Sequence, residues 1–287
     1  MRFLLCVFAW MVCGAQTTAA HGTGCAGTGL AGGLHTLSHR GLLRTYRLHL
    51  PLGYSAAHAA PLVIVFHGWG GDENEFLADP AVAREADARG YIVVAPRGLG
   101  AGPPDHRRNS WTFRGSASGL ASDVDGRAAI CDTATTPDYR YPSCTHGIAR
   151  NSCSWTQCQD DDVDFSRELV RHLENSLCID SSRVFAAGGS NGGMFTWELG
   201  QNPKSARAFR AIAPLIGLPH RGYLATPARS TAMPVLLITG LQDPTVPPGA
   251  WEDGSFTTTS NGSDRFYYTG ATAIIRRWSI TAGCDVS

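Results

Sequence analysis

The sequence has no long apolar run beyond its first residues, no net charge and no C-x-x-C pair of cysteines. Lys and Arg together number 24, Asp and Glu together also number 24, and no long run of like charge occurs. This balance indicates no basic surface for nucleic acid, so we expect no nucleic-acid partner. A membrane-spanning helix needs about 20 apolar residues, so we expect no membrane partner for the mature protein.

Structural zinc sites favour cysteine pairs of the form C-x-x-C, and this spacing is absent from the sequence. A zinc site built from the four cysteines between residues 131 and 158, together with His146, is an alternative. In an exported protein such cysteines are more often joined in disulfide bonds, which is the interpretation we favour. We therefore predict no bound metal and no cofactor.

The first residues have the pattern of a secretory signal peptide. A short basic start precedes an apolar stretch at residues 3–12, and cleavage after Ala15 or Ala20 would suit the peptidase. The apolar stretch is too short to span a bilayer comfortably, which disfavours a retained membrane anchor. We predict a signal peptide over residues 1–20, secretion to the extracellular space, and one α/β domain over residues 21–287.

Two of the nine cysteines lie within the predicted signal peptide. Seven remain in the mature chain, and these are Cys25, Cys131, Cys144, Cys153, Cys158, Cys178 and Cys284. In an exported protein most of them should form disulfide bonds. Seven is an odd number, so at least one should lack a partner within the mature chain.

Short apolar runs alternate with amphipathic patterns along the chain. The apolar runs predict strands at residues 43–50, 61–66, 91–95, 183–187, 208–216 and 234–238. The amphipathic patterns predict helices at residues 74–89, from Asp160–Asp162 to Leu177, at 191–201 and at 270–282. Strands that alternate with helices predict a mostly parallel central sheet flanked by helices.

Residues 99–159 interrupt this alternation. They contain four of the cysteines and show little helical or strand period. A loop of this length inside a domain is usually functional or stapled, so we predict a disulfide-stapled insertion or cap over the active site. Trp111 and Trp155 lie within it. Buried packing is their expected role, with stacking on a sugar or an aromatic acid as the alternative.

Residues 188–192 read Gly-Gly-Ser-Asn-Gly, a G-x-S-x-G motif between a predicted strand and a predicted helix. In an α/β-hydrolase this setting is the nucleophile elbow, a tight turn that lifts the serine hydroxyl clear of the sheet. Glycines flank the serine because side chains there would clash. A phosphate-binding turn is the alternative, but no Gly-x-x-x-x-Gly-Lys pattern accompanies it. We predict Ser190 as the catalytic nucleophile.

Two backbone N–H groups should stabilise the oxyanion of an acyl-transfer intermediate. Asn191, directly after the nucleophile, should supply one of them. The other should come from the loop that follows an early strand, His67-Gly68-Trp69-Gly70. We predict the Trp69 N–H for this position, with Gly70 second, and a structural role for His67.

Asp243 follows the predicted strand at 234–238. The α/β-hydrolase fold places there the acid that orients the triad histidine, so we predict Asp243 as that acid. An ordinary turn aspartate is the alternative. Glu252 and Asp253 are weaker candidates because they lie well past the end of the strand.

The triad of this fold runs in the order Ser, acid, His, yet none of the ten histidines follows Asp243. Together with the odd cysteine, this suggests that the C-terminal part of the fold, with one His and one Cys, lies beyond Ser287. His220 is the alternative base, although its place in the order is foreign to the fold. Without a base, Ser190 should lose nearly all its rate, because the triad acts as a unit.

Several motifs resemble the secreted esterase family of polyhydroxybutyrate depolymerases and type D feruloyl esterases. The matching segments are His67-Gly68-Trp69-Gly70, Asp161-Asp162-Val163-Asp164-Phe165, Gly188-Gly189-Ser190-Asn191-Gly192-Gly193-Met194, Gly240-Leu241-Gln242-Asp243 and Ala282-Gly283-Cys284. The resemblance implies hydrolysis of polymer-linked carboxylic esters, either hydroxycinnamate esters on cell-wall sugars or hydroxyalkanoate polyesters. It also implies a C-terminal histidine base, which this sequence lacks. A non-catalytic binding protein and a peptidase on the same fold are the alternative functions.

Overall fold

In the computed structural model, the described residues are 25, 29–100, 108–117, 129–136, 141, 156–222, 233–249, 257–258 and 265–284. The predicted signal peptide over 1–20 lies outside them, as do Cys144, Cys153, Trp155, Glu252 and Asp253. No helix within the described ranges is long and apolar enough to cross a membrane.

The described residues form eight strands, four α-helices and one short 3-10 helix. The strands are β1 Gly33–His39, β2 Leu42–His49, β3 Ala60–Phe66, β4 Ile92–Pro96, β5 Ile179–Gly189, β6 Ala211–Leu215, β7 Thr257–Thr258 and β8 Tyr267–Tyr268. The α-helices are α1 Pro80–Arg89, α2 Asp162–Ser176, α3 Asn191–Gln201 and α4 Ala271–Thr281, and the 3-10 helix is Ala206–Ala208.

Six strands form one sheet in the order β1-β2-β4-β3-β5-β6. β1, β2 and β4 pair antiparallel, whereas β4, β3, β5 and β6 pair in parallel. Beyond β6, Val235 and Ile238 form parallel bridges to Ile212 and Leu215, so the predicted strand at 234–238 lies along the sheet edge as an extended segment. The predicted sheet is confirmed, and the chain has the α/β-hydrolase fold.

Periodicity alone missed three strands, β1, β7 and β8, and misplaced the start of one helix. β1 has no clear apolar alternation, and its pairing with β2 follows a two-residue turn in which Arg40 and Gly41 have φ of 49° and 80°. The helix predicted over 74–89 begins at Pro80 instead. Asp79 caps it by accepting a first-turn N–H at 2.8 Å, and proline is favoured at the first helical position.

β3 is buried on both faces, as its continuous apolar run predicts. Leu62, Ile64 and Phe66 belong to the larger core, which also contains residues of α2, α3 and α4. Val65 belongs to a smaller core that includes Ala86 of α1, and the partly buried Val63 packs against that core. Because both faces are packed, the carboxyl end of β3 is held in place, and the loop after Phe66 starts from a defined position.

Disulfide bonds link segments of the described chain. Cys25 is bonded to Cys178, with a Cα–Cα distance of 4.9 Å, and this bond joins the N-terminal segment to the start of β5. Cys131 and Cys158 are each disulfide-bonded as well. The prediction of disulfide bonds is confirmed for these four cysteines, and the zinc alternative is therefore wrong for Cys131 and Cys158.

A buried cluster of charges connects β2 to the start of α2. The fully buried Arg44 guanidinium donates to Asp160 Oδ2 and Asp162 Oδ1, each at 2.5 Å, and lies 3.8 Å from the centre of the Phe165 ring. Asp162 Oδ2 also accepts the Thr112 N–H at 2.6 Å. The cluster therefore ties the segment around Thr112 to the first turn of α2.

We expect Arg44→Met to lower the free energy of unfolding by about 3–5 kcal/mol, because it leaves buried carboxylates without their counter-charge. Urea unfolding at neutral pH measures the effect. The matched control is Arg40→Met, which breaks an ion pair with Asp164 at the surface and should cost less than about 1 kcal/mol. Equal losses in the two variants would contradict a central role for the Arg44 cluster.

Candidate active site

Ser190 stands at a sharp turn between β5 and α3. Its backbone has φ of 50° and ψ of −114°, a conformation that L-residues rarely adopt. The Ser190 N–H donates to Leu215 O and the Ser190 carbonyl accepts the Met194 N–H, both at 2.9 Å. The side chain is partly exposed, so a substrate can reach it. Backbone strain of this kind is typical of functional sites, and it matches the predicted elbow.

Glycines beside Ser190 allow α3 to approach the sheet closely. A Cβ at Gly192 would overlap the carbonyl oxygen of Phe66 at the end of β3. A Cβ at Gly193 would lie 2.7 Å from Leu215 O at the end of β6. A side chain at either position would therefore clash with backbone atoms that have little freedom to move.

The loop after β3 lies against the elbow. A Cβ on Gly68 would be 3.6 Å from the Ser190 Cβ, so the loop and Ser190 lie within contact distance of each other. The next residue, Trp69, has a side chain 40% exposed, and its indole N–H donates to Tyr141 Oη at 3.1 Å. The Gly70 N–H donates to Asn109 O at 2.7 Å, which removes Gly70 as the second choice for the oxyanion site.

His67 is buried at the base of this loop. Its Nδ1 lies 2.6 Å from Gly68 O, and its Nε2 accepts the Gly98 N–H at 2.8 Å. Desolvation by burial lowers the pKa of His67 to about 4, so the ring is neutral, with its proton on Nδ1 facing the carbonyl. These contacts fit the structural role predicted for this histidine.

Glu75 is a residue of this site that the sequence pattern does not reveal. Its Oε1 accepts the Gly68 N–H at 2.9 Å, and a Cβ on Gly71 would collide with its Oε2. Desolvation raises the pKa of Glu75. The carboxylate thus holds the loop that carries Trp69. No motif spacing marks it, because the contact forms only when the loop folds back.

The side chain of Asn191 has a second role in addition to its predicted backbone one. Asn191 Oδ1 accepts the Trp111 N–H at 2.9 Å, and the Trp111 indole N–H donates to His67 O at 2.8 Å. Trp111 is fully buried and stacks on Phe195, with ring centres 5.5 Å apart. Trp111 is therefore a core residue that joins Asn191 to the start of the loop after β3, and its alternative as a substrate-stacking platform is wrong.

Asp243 lies at the same end of the sheet as Ser190, where the parallel strands reach their carboxyl ends. Gly189 pairs with Leu215 and Leu215 with Ile238, so the ends of β5, β6 and the extended segment are level, and Asp243 follows Ile238 by five residues. Asp243 Oδ1 accepts the Thr245 N–H at 2.8 Å and the Val246 N–H at 3.0 Å. These are the bonds of an Asx turn. Position rather than contacts supports Asp243 as the acid.

His220 is packed in an aromatic pocket. It lies in the loop after β6, with its ring stacked on Tyr268 at 5.3 Å between centres and tilted against Phe266 at 5.8 Å. Complete burial lowers its pKa to about 3. A base with this pKa accepts a serine proton poorly at neutral pH, so the environment of His220 disfavours it as a substitute for the triad histidine.

The chain is similar in sequence to curated esterases. It is 25% identical over 240 residues to feruloyl esterase C of Aspergillus niger, with 80% of this chain and 66% of that protein covered. It is 27% identical over 213 residues to the esterase NocK of Nocardia uniformis, with 72% and 47% covered. The chain thus spans about half to two thirds of the length of the curated relatives it matches.

No protein-family model matches the chain. A solved acetyl xylan esterase from Aspergillus awamori aligns with a TM-score of 0.40 and 16% identity, over 66% of this chain and 53% of that one. The predicted resemblance to α/β-hydrolase esterases is confirmed by the curated sequence relatives, together with the sheet order and the elbow.

Because His67 is buried in its neutral form, we predict that the protein is less stable at acidic than at neutral pH. Unfolded His67 has the ordinary pKa of about 6.5, whereas folded His67 titrates near 4, so the unfolded chain binds more protons in between. The stability contribution is complete above about pH 6.5 and is lost as the pH falls. From pH 7 to pH 5 the loss should be about 2 kcal/mol for this residue.

Urea unfolding at pH 7 and pH 5 measures this loss. His67→Gln, which can supply both a donor and an acceptor, should show a smaller drop than the parent protein. His58→Gln, at an exposed position, should retain the full drop. The same pH dependence in all three proteins would contradict a neutral, buried His67.

Proposed function

We propose that this protein is a carboxylic ester hydrolase that acts through a serine acyl-enzyme. The observation that carries the proposal is the strained backbone of Ser190 at the carboxyl end of β5, in contact distance of the loop at Gly68. A strand–turn–helix elbow beside a donor loop is the arrangement that acyl transfer requires. The names of the curated relatives support the same reaction class.

In the proposed mechanism, Ser190 Oγ attacks the ester carbonyl carbon while a base takes its proton. The N–H groups of Trp69 and Asn191 stabilise the negative charge on the carbonyl oxygen. The tetrahedral intermediate then expels the alcohol, which receives that proton. Water attacks the acyl-enzyme by the same route, so that the acid is released and Ser190 is restored.

The base is the component that the described residues do not supply. In this fold it is a histidine that follows the acid, and Asp243 would hold its tautomer and orientation. All ten histidines of the sequence precede Asp243. Oxyanion stabilisation and binding without the full triad give at most about 10³–10⁴-fold acceleration over water.

The substrates we propose are polymer-linked esters, either hydroxycinnamate esters on cell-wall sugars or hydroxyalkanoate polyesters. One relative of the chain is named a feruloyl esterase C and another an esterase, which supports an ester rather than an amide as the substrate. We also propose that the protein is secreted. The disulfide between Cys25 and Cys178 and the bonded Cys131 and Cys158 support an oxidising compartment.

A non-catalytic binding protein on the hydrolase fold is the second candidate function. It is favoured by one observation, that His220 on the loop after β6 is buried against the rings of Tyr268 and Phe266. A peptidase of the same fold is distinguished by substrate. Hydrolysis of p-nitrophenyl esters without hydrolysis of peptide p-nitroanilides would select the esterase.

Ser190→Ala should remove all enzyme-dependent hydrolysis of p-nitrophenyl acetate, because no other group would form the acyl-enzyme. Release of p-nitrophenolate is followed spectrophotometrically. Ser55→Ala, at an exposed turn far along the chain from the elbow, is the matched control and should retain the parent rate. Undiminished turnover in Ser190→Ala would remove Ser190 from the mechanism.

Added imidazole should restore the missing proton acceptor if Asp243 and Ser190 lack a histidine between them. We expect the Ser190-dependent rate to rise with the concentration of neutral imidazole, because a positioned base typically contributes about 10²–10⁴-fold. Imidazole also hydrolyses aryl esters in solution, so the Ser190→Ala rate at each concentration is subtracted. An equal increase in both proteins would show that imidazole acts outside the site.

A further inference from the structure

Ile216 has a backbone conformation that is unusual for its residue type. It follows β6 directly and has φ of 43°, within the left-handed region. For a β-branched residue this conformation is a genuine outlier, since the Cβ crowds the following carbonyl group. Its N–H donates to Ile238 O at 2.7 Å, so the strained geometry is held by the neighbouring segment of the sheet edge.

The backbone of Ile216 lies beside the nucleophile. The preceding residue, Leu215, accepts the Ser190 N–H at 2.9 Å. The following residue, Gly217, is so close that a Cβ there would overlap Ser190 O and lie 2.8 Å from the Cα of Gly193. The residues directly before and after Ile216 in the sequence therefore both contact the elbow.

Core packing does not account for an isoleucine at this position. The side chain is 44% exposed, although glycine or asparagine would adopt the left-handed conformation with less strain. Strained residues that the surrounding structure holds in place cluster at functional sites. An exposed apolar side chain kept at such a conformation therefore calls for a role at the surface beside Ser190.

A second exposed apolar residue belongs to the loop on the other side of β5. β5 lies between β3 and β6 in the sheet, and the loops after these two strands carry Trp69 and Ile216. The Trp69 side chain is 40% exposed, and Tyr141 holds its indole through the 3.1 Å hydrogen bond. The loops that carry these two apolar residues therefore lie on either side of the strand that leads to Ser190.

We propose that Ile216 is a specificity-determining residue. Together with Trp69 it forms an apolar clamp that contacts the part of the ester next to the scissile carbonyl and favours apolar over small or polar groups there. The inference rests on the proposed ester hydrolase function. It accounts for the strain, because an apolar side chain at this position would contact the substrate beside Ser190, which glycine would not.

The test compares Ile216→Asn with Ile216→Leu in the full chain. Asparagine accepts the left-handed conformation but is polar, whereas leucine stays apolar and lacks the branch at Cβ. The matched control is Leu52→Asn, which makes the same apolar-to-polar change at a residue 80% exposed outside the site. We expect Ile216→Asn to raise the midpoint temperature of thermal unfolding by about 2–4 °C, because the substitution relieves the backbone strain.

Two readouts report the clamp. The first is hydrolysis of p-nitrophenyl hexanoate and p-nitrophenyl acetate in the presence of imidazole. The ratio of kcat/KM for the hexanoate to kcat/KM for the acetate should fall about tenfold in Ile216→Asn. It should stay within about twofold of the parent ratio in Ile216→Leu and Leu52→Asn. Titration calorimetry with 4-phenylbutan-2-one, a ketone with no leaving group, should show about tenfold weaker binding in Ile216→Asn alone.

The outcomes separate this inference from the proposed function. An unchanged hexanoate-to-acetate ratio together with unchanged ketone affinity in Ile216→Asn would overturn the clamp, whatever the activity. A lower unfolding temperature in Ile216→Asn would overturn the account of stored strain. Ketone binding that depends on Ile216 in a protein that hydrolyses no ester would support the clamp and contradict the hydrolase function.

Discussion

The contact between the first turn of α3 and the ends of β3 and β6 determines the geometry of the whole site. Gly192 lies against the carbonyl of Phe66, and Gly193 lies against Leu215, at distances that a Cβ would not permit. With the helix so close, the residue that joins it to β5 has no room for an ordinary conformation, and Ser190 takes φ of 50°. The strain at Ser190 is thus a consequence of packing that the glycines make possible.

The parallel strands bring the other elements of the site to the same end of the sheet, where the strands reach their carboxyl ends. β3, β5, β6 and the extended segment at 234–238 all end there, so the loop of Trp69, the elbow and Asp243 meet without any long-range signal in the sequence. Buried polar contacts then fix the loops in place. Arg44 orders the segment that carries Trp111, and Trp111 joins Asn191 to the carbonyl of His67.

Local patterns were enough to predict the sheet, helix α3 and the turn at Ser190, because burial on both faces and glycine spacing are encoded within a few residues. β1 was missed because its partner strand, rather than its own alternation, defines it. Glu75 and the side chain of Asn191 were missed for a related reason: their contacts join residues that are distant in sequence or depend on a loop closing. The strain at Ile216 likewise arises from tertiary structure, since nothing in its neighbours' sequence requires it.

The claim on which the rest depends is that Ser190 is a nucleophile at an acyl-transfer site. Incubation with diethyl p-nitrophenyl phosphate, with imidazole present, tests it directly, because an activated serine displaces p-nitrophenolate from phosphorus and keeps the diethyl phosphoryl group. Peptide mass spectrometry then locates the modified residue. The account predicts one diethyl phosphoryl group, carried by Ser190. Modification only at other residues, or none at all, would contradict it.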